Sequence, residues 1–320
     1  MRAIRVHRFG GPEVLSLESL PDPVASHAQV VVRVHAIGVN PVDTYIREGT
    51  YGPREFPFTP GYDASGVIES VGAGVTDWKP GDRVVLYRPA AGTYAERVLS
   101  EATALFRLPA SATFEQGASL GVPYLTAHVA LFGRGRAQRG ETVLVHGATG
   151  GVGVAAVQLA ARAGLRVLGT GGTERGRELV RQQGVERVFD HTKPGCIDEI
   201  RSATGGKGPD LIIEMLANVN LENDLALLHT RGRVVIVGSR GTIQITPRHT
   251  MRGNLDVLGM SLHNCTPAEI ASAFAEIAAG VEEHTVRPIV GTTLPLDQAA
   301  RAHEQIMAPG AFGKIVLTCP

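Results

Sequence analysis

Two textures of apolar and polar positions alternate along the chain. From Met1 to about Gly121 the apolar runs are short, β-branched and separated by turn residues. Residues 29–39 (QVVVRVHAIGV), 66–71 and 83–87 predict strands. Gly10-Gly11-Pro12, Pro21-Asp22-Pro23 and Lys79-Pro80-Gly81-Asp82 punctuate the run. Closely spaced strands with such turns predict a compact antiparallel, barrel-like unit.

From about Pro123 to Leu262 the period changes. Strands are predicted over 141–146, 166–170, 186–190, 210–215 and 232–237. Between them the spacing predicts helices over 151–163, 174–183, 197–203 and 220–228. Strands and helices alternating at these lengths predict stacked βαβ units on a parallel sheet, an α/β fold. A further helix over 267–279 and strand-like stretches over 288–294 and 313–317 follow. The returning strand texture predicts a discontinuous first domain, 1–122 with 263–320, around a second domain, 123–262.

Composition narrows the function classes. With 320 residues, a chain buries around 75% of its unfolded surface and needs no staples. The 31 basic and 31 acidic residues cancel, so no overall field draws the chain to nucleic acid or anionic lipid. Cys196, Cys265 and Cys319 have neither zinc-ribbon spacing nor a disulfide pattern. No apolar leader opens the sequence and no run approaches ~18 apolar residues. A soluble, cytoplasmic chain is the expectation. The 39 glycines exceed the roughly 22 that a usual ~7% would give, and ten of them fall between Gly140 and Gly176.

That stretch carries the strongest chemical signal. Val143-Leu144-Val145-His146 runs into Gly147-Ala148-Thr149-Gly150-Gly151-Val152-Gly153 and then a helix. A strand feeding a glycine-rich turn and a helix N-terminus suits a pyrophosphate: glycines admit the ligand, and unpaired N–H groups and the dipole favour its charge. Ala148 replaces the first glycine of the strict fingerprint, leaving Gly147-x-x-Gly150-x-x-Gly153. At the second strand's end, where NAD sites carry an acid, the sequence reads Gly171-Gly172-Thr173-Glu174-Arg175-Gly176-Arg177. Small neutral residues followed by Arg175 or Arg177 suit a 2′-phosphate, which predicts NADPH over NADH. His191, after the third strand, is either a cofactor contact or an ordinary surface histidine.

Gly38-Val39-Asn40-Pro41-Val42-Asp43-Thr44-Tyr45, Pro60-Gly61-Tyr62-Asp63 and Gly81-Asp82-Arg83-Val84 together resemble the medium-chain dehydrogenase/reductase superfamily. His146–Gly153, the segment 213–221 and Gly238-Ser239-Arg240-Gly241 resemble its zinc-free, zeta-crystallin-like quinone oxidoreductase branch. The likeness covers nearly the whole chain. It implies a GroES-like β-barrel domain beside a Rossmann doubly wound parallel sheet, with NADPH in the cleft between them. It places cofactor contacts on Tyr45, Thr149, Gly150, Gly151, Val152, Gly172 and His191. Further contacts fall on Asn220, Val237, Gly238, Ser239, Arg240, Met260, Ser261 and Leu262; Thr173 and Arg175 join from the reading above. Asn40 and Tyr45 are the catalytic candidates, bordering nicotinamide and substrate.

The resemblance also bears on metal. Zinc-using relatives carry Cys where Asn40 stands and Gly-His-Glu where Gly61-Tyr62-Asp63 stands, and the chain before Gly121 has no cysteine. No metal is expected. Alcohol oxidation, which needs a Lewis acid to stabilise an alkoxide, is disfavoured. The expected reaction is reduction of quinones, ortho-quinones favoured, by one- or two-electron transfer from NADPH. The alternatives are an NADPH-dependent enal or enone reductase, or an NADPH-binding structural or RNA-binding protein of the crystallin type. Nucleic acid is not expected as the main partner, and no membrane role is expected. A homodimer or homotetramer is implied, with edge pairing near 256–262 as a candidate contact.

Overall fold

The computed structural model describes residues 1–319, which form two compact units. One comprises Met1–Val122, Pro288–Ala308 and the described part of the stretch from Gly313 onward; the other comprises Pro123–Arg287 and Pro309–Phe312. The strands in chain order are β1 (Arg2–Arg5), β2 (Ser16–Ser19), β3 (Gln29–Val39), β4 (Asp63–Val71) and β5 (Arg83–Tyr87). Then come β6 (Arg97–Glu101), β7 (Leu105–Arg107), β8 (Thr142–Val145), β9 (Arg166–Thr170) and β10 (Arg187–Phe189). The last five are β11 (Leu211–Glu214), β12 (Arg233–Ile236), β13 (Asp256–Gly259), β14 (Val290–Pro295) and β15 (Lys314–Thr318).

In the first unit a seven-stranded sheet runs β14-β15-β3-β4-β5-β7, with β6 also pairing β3. Its pairs are antiparallel except β14 with β15. The long strand β3 organises it. Val30, Val32 and Val34 face the core, and then Ile37 and Val39 do so. The change of phase falls where the β3–β4 register shifts between Val34 and Ala36. A bulge rotates the strand by one residue, so both halves bury their β-branched side chains. The strand ends at Asn40, which caps the helix Pro41–Glu48 in a reciprocal box with Asp43. That helix is not evident in the strand-and-turn texture; Pro41 at its first position and Gly49 in the left-handed region at its end bound it.

The second unit is a doubly wound parallel sheet of order β10-β9-β8-β11-β12-β13. Winding proceeds one way from β8 and the other way from β11, so these two neighbours form the topological switch point. Leu144, Leu168, Ile212 and Val234 sit in its buried core.

The second domain boundary needs correction. The helix Pro267–Glu282 belongs to the α/β unit, not to the barrel unit, and the chain returns only at Pro288. Its apolar face explains why: Ile270, Ala273, Phe274, Ile277 and Val281 are buried. His128 lies 3.0 Å from Glu276, and Arg162 pairs with Glu283 at 2.5 Å, tying the middle and the C-terminal end of the helix to that unit. Among the described residues no helix is long and apolar enough to cross a membrane.

Candidate functional site

The glycine-rich turn leaves β8 and is tied to the end of β9. Gly147, at φ +57°, donates its N–H to Thr170 Oγ1 at 3.1 Å, and Ala148 N donates to Thr170 O at 2.9 Å. Gly150 caps the helix Gly151–Arg162 without a side-chain acceptor. The first-turn N–H groups of that helix therefore face the turn with no capping side chain, the arrangement that accepts an anion. A Cβ on Gly153 would stand 2.2 Å from Gly147 O and 2.6 Å from Ala148 Cα, so glycine alone lets helix and turn meet. Thr149, Gly150, Gly151 and Val152 lie together on this cradle.

The end of β9 separates two arginines that the sequence leaves equivalent. Arg177 is buried, donates to Gly171 O at 3.0 Å and pairs with Asp190 at 2.9 Å and Glu174 at 2.7 Å. It is committed to scaffold. Arg175 is exposed, and its guanidinium stacks 4.1 Å above the Phe312 ring. Thr173 caps the helix Glu174–Arg181, its hydroxyl oxygen accepting from Gly176 N at 3.1 Å. His191 follows β10 with its ring against Gly172, where an added Cβ would lie 3.0 Å from Nε2. Partial burial, then the nearby His146, hold the His191 pKa below its ordinary value.

The other expected cofactor residues follow the remaining strand ends. Val237 and Gly238, after β12, donate their N–H groups to Glu214 O at 2.8 and 3.3 Å. Arg240 N donates to Asn218 Oδ1 at 2.8 Å, and Ser239 and Arg240 are exposed. After β13, Met260 N donates to Ile236 O at 3.2 Å, Ser261 Oγ accepts from His263 N at 3.3 Å, and Leu262 is buried. Every one of these segments lies beyond the carboxyl end of a parallel strand, the edge where open α/β sheets bind ligands.

Beneath that edge lies a group that no sequence motif marks. His146 from the end of β8, Glu214 from β11 and Asp224 from the helix Ala217–Leu227 are buried, with ligand atoms within 4.8 Å of one another. His146 Nε2 stands 2.9 Å from Asp224 Oδ1 and 3.7 Å from Glu214 Oε2. Asn220, on the same helix, donates from Nδ2 to Glu214 Oε1 at 3.1 Å. Burial pushes the Glu214 carboxyl up to about 7; burial pulls His146 down, but the hydrogen bond to Asp224 and the charges of Asp224 and Glu214 together raise its pKa above the ordinary value.

In the first unit the catalytic candidates part company. Asn40 is buried: its Nδ2 donates to Asp63 Oδ2 at 2.9 Å and to Gly38 O at 3.3 Å, and its Oδ1 accepts from Lys314 Nζ. Both amide hydrogens of Asn40 are thus engaged within the protein. Tyr45, on the helix Pro41–Glu48, is half-buried, and its hydroxyl makes no hydrogen bond among the described residues. The positions that would carry zinc ligands do not form a donor set. Asp63 is occupied by Asn40, by Lys314 at 3.4 Å and by Val122 N at 2.7 Å. A fixed ammonium thus stands beside the carboxylate and amide that a metal would need. Farther along, Arg47, His303, Tyr94 and Asp43 form a buried chain with steps of 3.2, 3.0 and 3.2 Å.

Two family models match the chain: an alcohol dehydrogenase GroES-like domain over residues 26–110 and a zinc-binding dehydrogenase over 151–279. A quinone oxidoreductase of Rattus norvegicus is 51% identical over 99% of this chain and 97% of its own. A solved NAD-dependent alcohol dehydrogenase superposes with TM-score 0.93 at 31% identity, covering 100% of both chains. The Escherichia coli quinone oxidoreductase complexed with NADPH superposes with TM-score 0.90 at 30% identity, again covering 100% of both. The barrel-type sheet, the doubly wound sheet and this likeness over the full length agree: the chain belongs to the quinone oxidoreductase family of the medium-chain dehydrogenase/reductase superfamily.

Proposed function

We propose that this chain is a zinc-independent, NADPH-dependent quinone reductase that favours ortho-quinones and transfers one or two electrons per event. The observation that carries the reading is the end of β9, which has no acid at Gly171-Gly172, places the His191 ring against Gly172 and is followed by the exposed Arg175. A carboxylate at that place would repel a 2′-phosphate, whereas a guanidinium and an imidazole N–H each bond one, at about 1.5–3 kcal/mol per charge-assisted bond.

When bound, NADPH supplies the electrons. Thr149, Gly150, Gly151 and Val152 hold its pyrophosphate through backbone N–H groups and the helix dipole. Gly172, Thr173, Arg175 and His191 hold the 2′-phosphate. Asn220, Val237, Gly238, Ser239, Arg240, Met260, Ser261 and Leu262 line the rest of the cofactor. Tyr45 lines the quinone and offers its hydroxyl to the carbonyl as charge develops there. Asn40 keeps Asp63 and Lys314 in register beneath that helix. A quinone accepts electrons readily, so proximity and orientation suffice and no Lewis acid is required.

The working form is proposed to be a cytoplasmic homodimer or homotetramer. The edge strand β13, whose Val257 is exposed, is the candidate contact, and three free cysteines suit a reducing compartment. The test is cofactor oxidation across ortho-quinones, para-quinones and enals, with electron paramagnetic resonance to separate one- from two-electron transfer. Turnover of quinones ahead of enals is expected. Turnover of enals alone would replace this reading with an enone reductase. Salt-sensitive retention of RNA without any turnover would replace it with a binding protein.

A further inference from the structure

The group beneath the cofactor edge contains an imbalance of protons. Glu214 Oε1 accepts from Leu216 N and from Asn220 Nδ2, and Asp224 Oδ1 faces His146 Nε2. The other two oxygens, Glu214 Oε2 and Asp224 Oδ2, are buried and receive no hydrogen bond from a donor among the described residues. Yet each carboxyl group places an oxygen within 4.8 Å of an oxygen of the other. Two ionised carboxylates in that position would repel across a low-dielectric interior, and each orphaned oxygen would go unpaired. One proton between them satisfies both. The pair then carries a single negative charge, which the His146 imidazolium balances.

We propose that Glu214 and Asp224 share one buried proton, and that with His146 they are positioning residues that set Asn220 and the glycine-rich turn for NADPH. The proposal rests on the cofactor reading above. His146 reaches the turn through Thr170, whose hydroxyl lies 3.4 Å from Nδ1 and accepts from Gly147 N at 3.1 Å. Glu214 holds the Asn220 amide by its hydrogens, which turns the carboxamide oxygen away from the carboxyl group. The network therefore joins β8, β9, β11 and the following helix directly at the switch point.

The charged or titratable groups facing Glu214 are few. His146 comes from β8 and Asp224 from the helix Ala217–Leu227. After β12 the Val237 and Gly238 N–H groups meet the Glu214 backbone oxygen. His191, beyond β10, acts on His146. Loss of the shared proton leaves a second buried negative charge below a turn that must accept an anion, so NADPH affinity falls as pH rises. The sign follows from burial, which favours the protonated carboxyl in the folded protein.

The test is fluorescence titration of the full-length protein with NADPH from pH 6.5 to pH 8.5, comparing the parent with Glu214→Gln. Glutamine keeps the Oε1 acceptor and supplies a permanent donor to Asp224, fixing the proton's role at every pH. The parent Kd is expected to rise about five- to twentyfold over this range, the size of an ordinary coupling between sites. The Glu214→Gln Kd is expected to stay within about twofold of its own value at pH 6.5. Thermal unfolding without NADPH gives a second readout, in which the parent midpoint falls over the same range and the variant lacks that fall. If Glu214→Gln does not fold, Asp224→Asn places the fixed donor on the other partner and carries the same expectation. Equal pH slopes in parent and variant, or a stoichiometric metal ion in the purified protein, would overturn the shared proton. Failure of the parent to bind NADPH at any pH would instead overturn the cofactor reading.

Discussion

Arg177 holds Asp190 at 2.9 Å, joining the helix after β9 to the end of β10. This pairing, with the Arg177–Glu174 contact at 2.7 Å, commits Arg177 to the two nearby acids and leaves Arg175 as the exposed cation after β9. The two arginines should therefore fail differently. Arg175→Ala is expected to raise the Kd for NADPH at least tenfold, as loss of about 1.5–3 kcal/mol requires, and to leave the Kd for NADH within about twofold. Arg177→Ala is expected to lower the thermal midpoint and to weaken both cofactors alike. Isothermal titration with each cofactor, alongside thermal unfolding, separates the outcomes.

The glycines of the turn are not interchangeable. A Cβ on Gly153 meets the backbone of Gly147 and Ala148 at 2.2–2.7 Å, whereas one on Gly150 meets only Ala311 Cβ at 3.5 Å and Gly147 O at 3.8 Å. Gly153→Ala should destabilise the α/β unit by about 2 kcal/mol or more, because helix and turn must separate. Gly150→Ala should fold with a near-parent midpoint. Urea unfolding of both variants checks the contrast.

The buried Lys314–Asp63 pair makes a prediction about charge. Removing the ammonium by Lys314→Met leaves Asp63 uncompensated, with an expected cost of about 3–5 kcal/mol. Adding Asp63→Asn should recover part of that loss, since a neutral pair needs no counter-charge. Chemical denaturation of the single and double variants measures the coupling. If the losses simply add, the ion pair contributes nothing of its own.

His303 sits in the same unit with its pKa pulled down to about 3, first by burial and then by Arg47. The unfolded chain binds a proton at ordinary histidine pKa, near 6.5, while the folded chain does not. Stability should therefore fall as pH drops from about 6.5 toward 3. Asp43, pushed up to about 7 by burial, has the opposite sign and loses stability as pH rises between its unfolded and folded values. His303→Gln cannot charge, so its thermal midpoint should decline less than the parent's between pH 6.5 and pH 4.

How much was legible beforehand depends on the range of the interactions. The turn from Gly147 to Gly153 and the acid-free end of β9 are local patterns, and the strand and helix periods around them are strong. The turn and the segments after the strands could therefore be placed at the carboxyl edge of the parallel sheet from sequence and family likeness. The choice between Arg175 and Arg177 could not, because it requires β10 to lie beside β9. The contact of Asn40 with Lys314, 274 residues away, could not be read either. His146 and Asp224, 78 residues apart, meet only across the switch point. The helix Pro267–Glu282 was assigned to the wrong unit for a similar reason: its apolar stripe shows that it packs, not what it packs against.

The central claim is NADPH-dependent quinone reduction directed by the end of β9, and the most direct measurement is quinone-dependent oxidation of NADPH and of NADH under identical conditions. The account predicts quinone-dependent turnover with kcat/KM for NADPH at least about tenfold above that for NADH, the difference one charge-assisted phosphate contact supplies. Equal use of the two cofactors, preference for NADH, or no quinone-dependent turnover with either would contradict it.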